Sequence, residues 1–232
     1  LDCLRRDSFY TGVTEGNIGS ARIIKMLNVV DDSLVVDQKG IYSLENYLTT
    51  RRLMYWQVYL HRTCVAYEKV LVNMLIRAKD LIRMGQDVFA SPALHYFLSN
   101  KVDAEWFAAH PETLTWYGEL DDSDIWSAMK AWKHHDDKIL STLATDMLDR
   151  RIFKVEVHEE PITDERIQEL HEMIAENLQI PIEDAHYLMS VNTISKDMYN
   201  VDDDSITILY KDGTIRDISE ASELLNVQLL SK

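Results

Sequence analysis

From Ser43 to Met84 the chain runs without a single glycine or proline. A stretch that long without a breaker favours helix over any alternation of short strands. Within it Leu53, Trp56, Leu60, Cys64, Tyr67, Leu71 and Met74 recur at steps of three and four, which predicts one buried stripe on a continuous helix. The scarcity is general, with 7 Gly and 4 Pro in 232 residues, so long helices are expected to dominate.

Residues 1–10 read as the end of a helix and residues 11–20 as a loop. Ser20 is placed to cap a short helix over Ala21 to Leu27. Leu34-Val35-Val36, between Asp31 and Ile41, predicts a small hairpin turning at Lys39-Gly40. Further helices are expected over Ser91–Ser99, Pro111–Glu119, Ile125–Trp132 behind Asp122-Ser123-Asp124, and Asp137–Arg150. The character changes near Arg151. Ile152 to Val157 alternates like a strand, Thr163 caps a helix to about Asn177, and Tyr187 to Val191 reads as strand. Ile206–Tyr210 and Thr214–Ile218 flank Lys211-Asp212-Gly213, a hairpin signal, and Ser219 to Leu225 closes as a short helix. The expected fold class is mainly α, with a helical part over residues 1–150. An α+β C-terminal subdomain with a small antiparallel sheet is expected over residues 151–232.

Charge narrows the functions. With 24 basic and 39 acidic side chains the formal charge is -15, which repels a nucleic acid over most of the surface. A small anionic ligand remains compatible, because a local basic cluster can dominate a pocket. Two cysteines, Cys3 and Cys64, cannot build a disulfide framework and fit a reducing compartment. No apolar run approaches the roughly 18 residues of a membrane span, and no signal peptide is visible, so a cytoplasmic protein without membrane partners is expected. The chain opens in helix-forming sequence with no initiator Met, as a fragment of a longer protein would.

Three clusters could carry chemistry. Arg51, Tyr55, Tyr59 and Arg62 follow at steps of four, four and three, one side of a helix. Guanidiniums and phenols facing one way suit an anionic ligand with an apolar part. A solvated face of snorkelling side chains would show the same spacing. Asp2, Cys3, Arg5, Arg6 and Asp7 form a second group, with Cys3 and Asp7 one turn apart; it reads as the polar wall of a pocket or as an ion-paired patch. Lys133-His134-His135-Asp136-Asp137-Lys138 invites a metal assignment, but neighbours in sequence diverge by about 100° on a helix, so a solvated charge run is the better reading. No Walker loop, dinucleotide-binding glycine pattern, nucleophile elbow or cysteine zinc pair is present.

Leu1-Asp2-Cys3-Leu4-Arg5-Arg6-Asp7-Ser8-Phe9-Tyr10-Thr11-Gly12-Val13 resembles a segment of the HD-domain phosphohydrolases, most closely their deoxynucleoside triphosphate triphosphohydrolase (dGTPase-like) branch. The resemblance continues through Leu48 to Arg62, Leu120 to Ile125 and Arg150 to Lys154. It implies a metal-dependent enzyme that splits deoxynucleoside triphosphates into deoxynucleoside and triphosphate, and that is often a homo-oligomer. It implies a divalent metal ion (Mn, Mg, Fe or Zn) whose four His and Asp ligands fall upstream of Leu1, so that no catalytic or metal-binding residue is expected in this chain, which alone should hydrolyse nothing. It also implies a nucleotide partner: Asp7 near the sugar, Arg51 on the phosphates and Tyr59 beside the sugar, with Tyr55 and Arg62 as helpers. One position departs, because Cys3 stands where the family often has Tyr and cannot supply the phenol's hydrogen bond. A nucleotide other than a deoxynucleoside triphosphate, or a non-catalytic helical regulatory module, are the alternative readings.

Overall fold

The computed structural model describes residues 1–193, 199 and 205–222. The chain divides into two compact units, one made of Leu1–His61 with Thr193–Lys232 and the other of Arg62–Asn192. The boundary expected at residue 150 is therefore corrected. A C-terminal strand completes a sheet begun near residue 30, so chain order and spatial order part company.

In the first unit, α1 (Asp2–Thr11) ends at Gly12, whose φ of 72° lets its amide reach back to the Ser8 carbonyl at 3.0 Å. A 3₁₀ turn over Thr14–Gly16 leads to α2 (Ser20–Lys25). Strand β1 (Leu27–Val30) pairs antiparallel with β2 (Ser33–Asp37), Leu27 opposite Val36 and Val30 opposite Ser33. The turn is Asp31-Asp32, both at positive φ (48° and 62°), the backbone of a two-residue hairpin loop. This corrects the turn expected at Lys39-Gly40, which instead forms a 3₁₀ turn over Gln38–Gly40 and feeds α3 (Ile41–Met54). Aspartate tolerates left-handed backbone well enough to take the turn from glycine.

Strand β3 (Thr207–Leu209) joins β2 in parallel, Val36 opposite Ile208, and β4 (Ile215–Asp217) returns antiparallel through the turn at Gly213. The sheet order is β1-β2-β3-β4 and the sheet is mixed, where a purely antiparallel one was expected. The predicted C-terminal helix forms over Ile218–Ala221 and stops at Ser222, whose backbone is extended, short of the expected Leu225; residues 223–225 lie outside the described residues. One core gathers Ile23, Val36, Leu44, Leu48, Ile208 and Ile218 between sheet and helices. A smaller one of Leu4, Ile18 and Met54 pins α1 to α3.

The second unit is helical among the described residues. Helix α4 (Arg62–Arg83) is its spine. Ser91 caps α5 (Pro92–Ser99), Asp103 caps α6 (Ala104–Ala109), and α7 (Thr113–Glu119) follows. Asp121 and Asp124 form a capping box on α8 (Asp122–Trp132), Asp137 caps α9 (Lys138–Leu148), and Thr163 caps α10 (Asp164–Leu178). The core surrounds Trp132 with Met74, Leu81, Met129, Leu140 and Leu143, all 1% exposed or less.

Three sequence expectations fail here. The segment Ile152–Val157 makes no strand; Phe153 packs on the core while Val157 is 80% exposed, and alternation without a partner edge does not make a sheet. Tyr187–Val191 is not a strand either, because Ile182–Leu188 coils as 3₁₀ helix, held where Asn73 Nδ2 donates to the Tyr187 carbonyl at 2.9 Å. The long helix from Ser43 is interrupted after Met54. Of its predicted stripe, Met74 is buried, whereas Leu53, Trp56 and Cys64 are exposed. The face that α4 buries is Ala66, Val70, Asn73, Met74, Arg77, Ala78 and Leu81.

Candidate functional site

The interruption shapes the cleft. After α3 the residues Tyr55–Tyr59 wind as a π-helical turn, with the Leu60 amide reaching the Tyr55 carbonyl at 2.7 Å, five positions back. The widened turn keeps Tyr55 and Tyr59 adjacent, their rings edge-on at 5.3 Å. Helix α4 then starts afresh at Arg62. Arg62 is exposed, does not line the cleft and falls in the second unit, so it leaves the face that an unbroken helix would have given it. A single π turn is hard to read from sequence, because no residue type demands it.

A cleft of about 700 Å³ lies on the first unit. From α1 it receives Leu1, Cys3, Leu4 and Asp7; from α3 and the π turn, Tyr47, Arg51, Tyr55 and Tyr59; from the segment before β3, Ile206. Five of the six expected site residues thus share one wall system: Cys3, Asp7, Arg51, Tyr55 and Tyr59. The Tyr59 hydroxyl donates a hydrogen bond to Asp7 Oδ2, joining α1 to the π turn. Burial, the bond to Asp7 and the charges of Asp7, Cys3 and Tyr55 all push the Tyr59 phenol well above its ordinary value. Tyr59 is therefore a firm donor and Asp7 its acceptor. The Arg51 guanidinium stands 5.8 Å from the centre of the Tyr55 ring, a cation–π distance that leaves a charge at the cleft wall.

Four lining residues were not among the expected ones: Leu1 and Leu4, close to Cys3 in sequence, with Tyr47 and Ile206. Tyr47 lies one turn before Arg51 and could have been found by extending the same spacing backwards. Ile206 reaches the cleft only through the parallel pairing of β3 with β2, a contact that no local pattern announces.

The His134–Asp137 run has a structural explanation. His135 Nδ1 accepts the Asp137 amide at 2.9 Å and its Nε2 faces the Asp87 carbonyl at 3.1 Å, which fixes the Nε2–H tautomer. Asp137 meets Arg77 and caps α9, so the run is not wholly a solvated one. Among the described residues no group of three or more His, Cys, Asp or Glu side chains could hold a metal ion. No helix there is long and apolar enough to cross a membrane.

Residues 18–90 match a protein-family model described as the HD associated region. That region includes the π turn and the Tyr47–Tyr59 wall, while α1, with Cys3 and Asp7, precedes it. A crystal structure of a phosphohydrolase from Bacteroides thetaiotaomicron is 59% identical, with a TM-score of 0.88 over all of this chain and 57% of that one. A hypothetical protein from Aquifex aeolicus is 25% identical with a TM-score of 0.58, over 96% of this chain and 48% of that one. The uncharacterized protein YwfO of Bacillus subtilis is 29% identical over 97% of this chain and 51% of its own length. The chain spans about half the length of YwfO and of the uncharacterized protein MG461 of Mycoplasma genitalium, curated relatives that it matches along 97% of its own length.

Proposed function

We propose that this chain forms the nucleotide-facing wall of an HD-type phosphohydrolase that cleaves deoxynucleoside triphosphates to deoxynucleoside and triphosphate. The observation that carries the reading is the convergence of Asp7, Tyr59, Tyr55 and Arg51 on one cleft large enough for a nucleotide. The likeness to a structure named a phosphohydrolase supports the reaction class.

The residues divide the work by their chemistry. Arg51 is permanently charged and forks onto phosphate oxygens, so it would neutralise charge that builds on the phosphoryl group. Asp7, whose carboxylate accepts the Tyr59 hydroxyl through one oxygen, is suited to a sugar hydroxyl. Tyr47 and Ile206 offer apolar surface, suited to a base. A divalent metal would polarise the phosphoryl oxygen and activate water. The described residues gather no group of three or more His, Cys, Asp or Glu for one, so its ligands would come from outside them.

Hydrolysis by the longest natural polypeptide containing this chain, with manganese and a panel of ribo- and deoxyribonucleotides, tests the reading. Inorganic tripolyphosphate should appear from deoxynucleoside triphosphates. Orthophosphate or pyrophosphate as the sole product would overturn the triphosphate-releasing reaction, and turnover of monophosphates alone would transfer the site to a different nucleotide substrate.

A further inference from the structure

The second unit presents an aromatic face that its described residues leave open. Phe97 on α5 and Phe107 on α6 each meet the Tyr117 ring of α7 edge-on at 6.4 Å. Tyr117 is 61% exposed, Leu114, one turn earlier on α7, is 68% exposed, and Phe107 is 38% exposed. The bed below them is fixed. Tyr96 stacks on Trp116 at 5.8 Å, accepts the Trp106 indole N–H at 3.0 Å, and lies 2.8 Å from Oγ1 of the fully buried Thr113. Trp106 in turn stacks on His110 at 3.9 Å. Exposed rings on so ordered a platform mark an interaction site more than a frayed edge.

The surrounding charge selects the occupant. Residues 101–124 hold seven carboxylates and one cationic side chain, Lys101. Glu112 and Glu119 bracket the exposed stretch of α7, and Asp103 and Glu105 stand at the start of α6; all four are exposed. The nearby Lys79 ammonium is spent on the Phe97 and Asn100 carbonyls at 3.0 and 2.7 Å. We infer that this face docks a cationic amphipathic segment of a partner protein, with apolar anchors over Leu114 and Tyr117 and Lys or Arg against Glu112 and Glu119. A second copy of this chain would bring the same carboxylates onto themselves across a two-fold axis. Anionic lipid and nucleic acid are repelled by the same rim.

The test titrates the 232-residue chain with a short helical Leu/Lys peptide and its Leu/Glu counterpart, at low and high salt, by fluorescence anisotropy. The Leu/Lys peptide should bind, more weakly as salt rises. Leu114→Ser and the double variant Glu112→Lys/Glu119→Lys should each weaken it by about tenfold or more, and the double variant should gain affinity for the Leu/Glu peptide. Circular dichroism should show unchanged helix content, because all three positions are exposed. The inference is overturned if the Leu/Lys peptide fails to bind at roughly 1 mM. It is also overturned if Leu114→Ser leaves binding untouched, if the Leu/Glu peptide binds the unaltered chain equally well, or if the face proves to be a self-association surface that Leu114→Ser dissolves in sedimentation.

Discussion

The Tyr59 hydroxyl donates a hydrogen bond to Asp7 Oδ2 that spans 52 positions of sequence and ties the first helix to the π turn. The bond holds Tyr59 protonated and places both residues on one cleft wall. Tyr59→Phe removes the donor and leaves Asp7 short of a partner, so it should cost about 1–2 kcal/mol of stability in denaturant titrations. If Asp7 serves a sugar hydroxyl, the variant should also weaken nucleotide binding.

The same bond has a signature in alkali. Tyr59 is held well above the ordinary phenol value of 10.0, and Tyr199, buried and bonded to Asp217, is pushed up to about 12. Below pH 10 both contributions are whole. Above it the unfolded chain gives up phenol protons first, so stability should fall as pH climbs through the folded values. Chemical denaturation between pH 9 and 11 should show this decline, and Tyr59→Phe should flatten it.

Gly16 should be irreplaceable for a reason of space. A Cβ there would run into Ser8 Cβ on α1, the helix that carries Cys3 and Asp7. Gly16→Ala should therefore displace α1, cost about 1–3 kcal/mol, and weaken ligand binding together with stability. Gly12→Ala meets nothing within 4 Å but strains a φ of 72°, so its cost should be about 1 kcal/mol. Thermal melts of the two variants separate crowding from backbone strain.

In the second unit Arg77, 9% exposed, bonds Asp137 through two nitrogens at 2.6 and 3.2 Å and Asp184 at 3.0 Å. Arg77→Met strands two carboxylates, one of them at the start of α9, and should cost about 3–5 kcal/mol. Burial alone would raise the Asp137 carboxyl, but Arg77 and the Leu140 amide outweigh it and hold it below its ordinary 3.8. That stability is complete above pH 3.8 and is lost as pH falls through the lowered value. Asp137→Asn should blunt the acid limb of a pH–stability curve measured on the intact chain.

Much of this arrangement could be read in advance where local chemistry decides it. Ser91, Asp137 and Thr163 cap their helices because each offers an oxygen to an orphan amide, a rule that needs no tertiary knowledge. Spacing likewise brought Arg51, Tyr55 and Tyr59 to one face. It failed at Arg62, where one residue accommodated in a π turn ends the register. Strands were legible only where a turn residue marked them. Gly213 did so, whereas the Asp31-Asp32 turn carries no glycine and the β2–β3 pairing depends on a contact far along the chain. Ile152–Val157 shows the converse, an alternating segment that finds no edge to join. The apolar end of the cleft at Ile206 was hidden for the same reason.

The central claim is that this wall holds a nucleotide by its phosphates. Isothermal titration of dGTP with manganese, using the longest natural polypeptide that contains the chain, compares the unaltered protein with Arg51→Ala. Arg51 is half-buried with its guanidinium 5.8 Å from the centre of the Tyr55 ring, so thermal melts of both proteins accompany the titration and separate folding from binding. The account predicts affinity weaker by about tenfold or more for the folded variant. Equal affinity in the two proteins would contradict it.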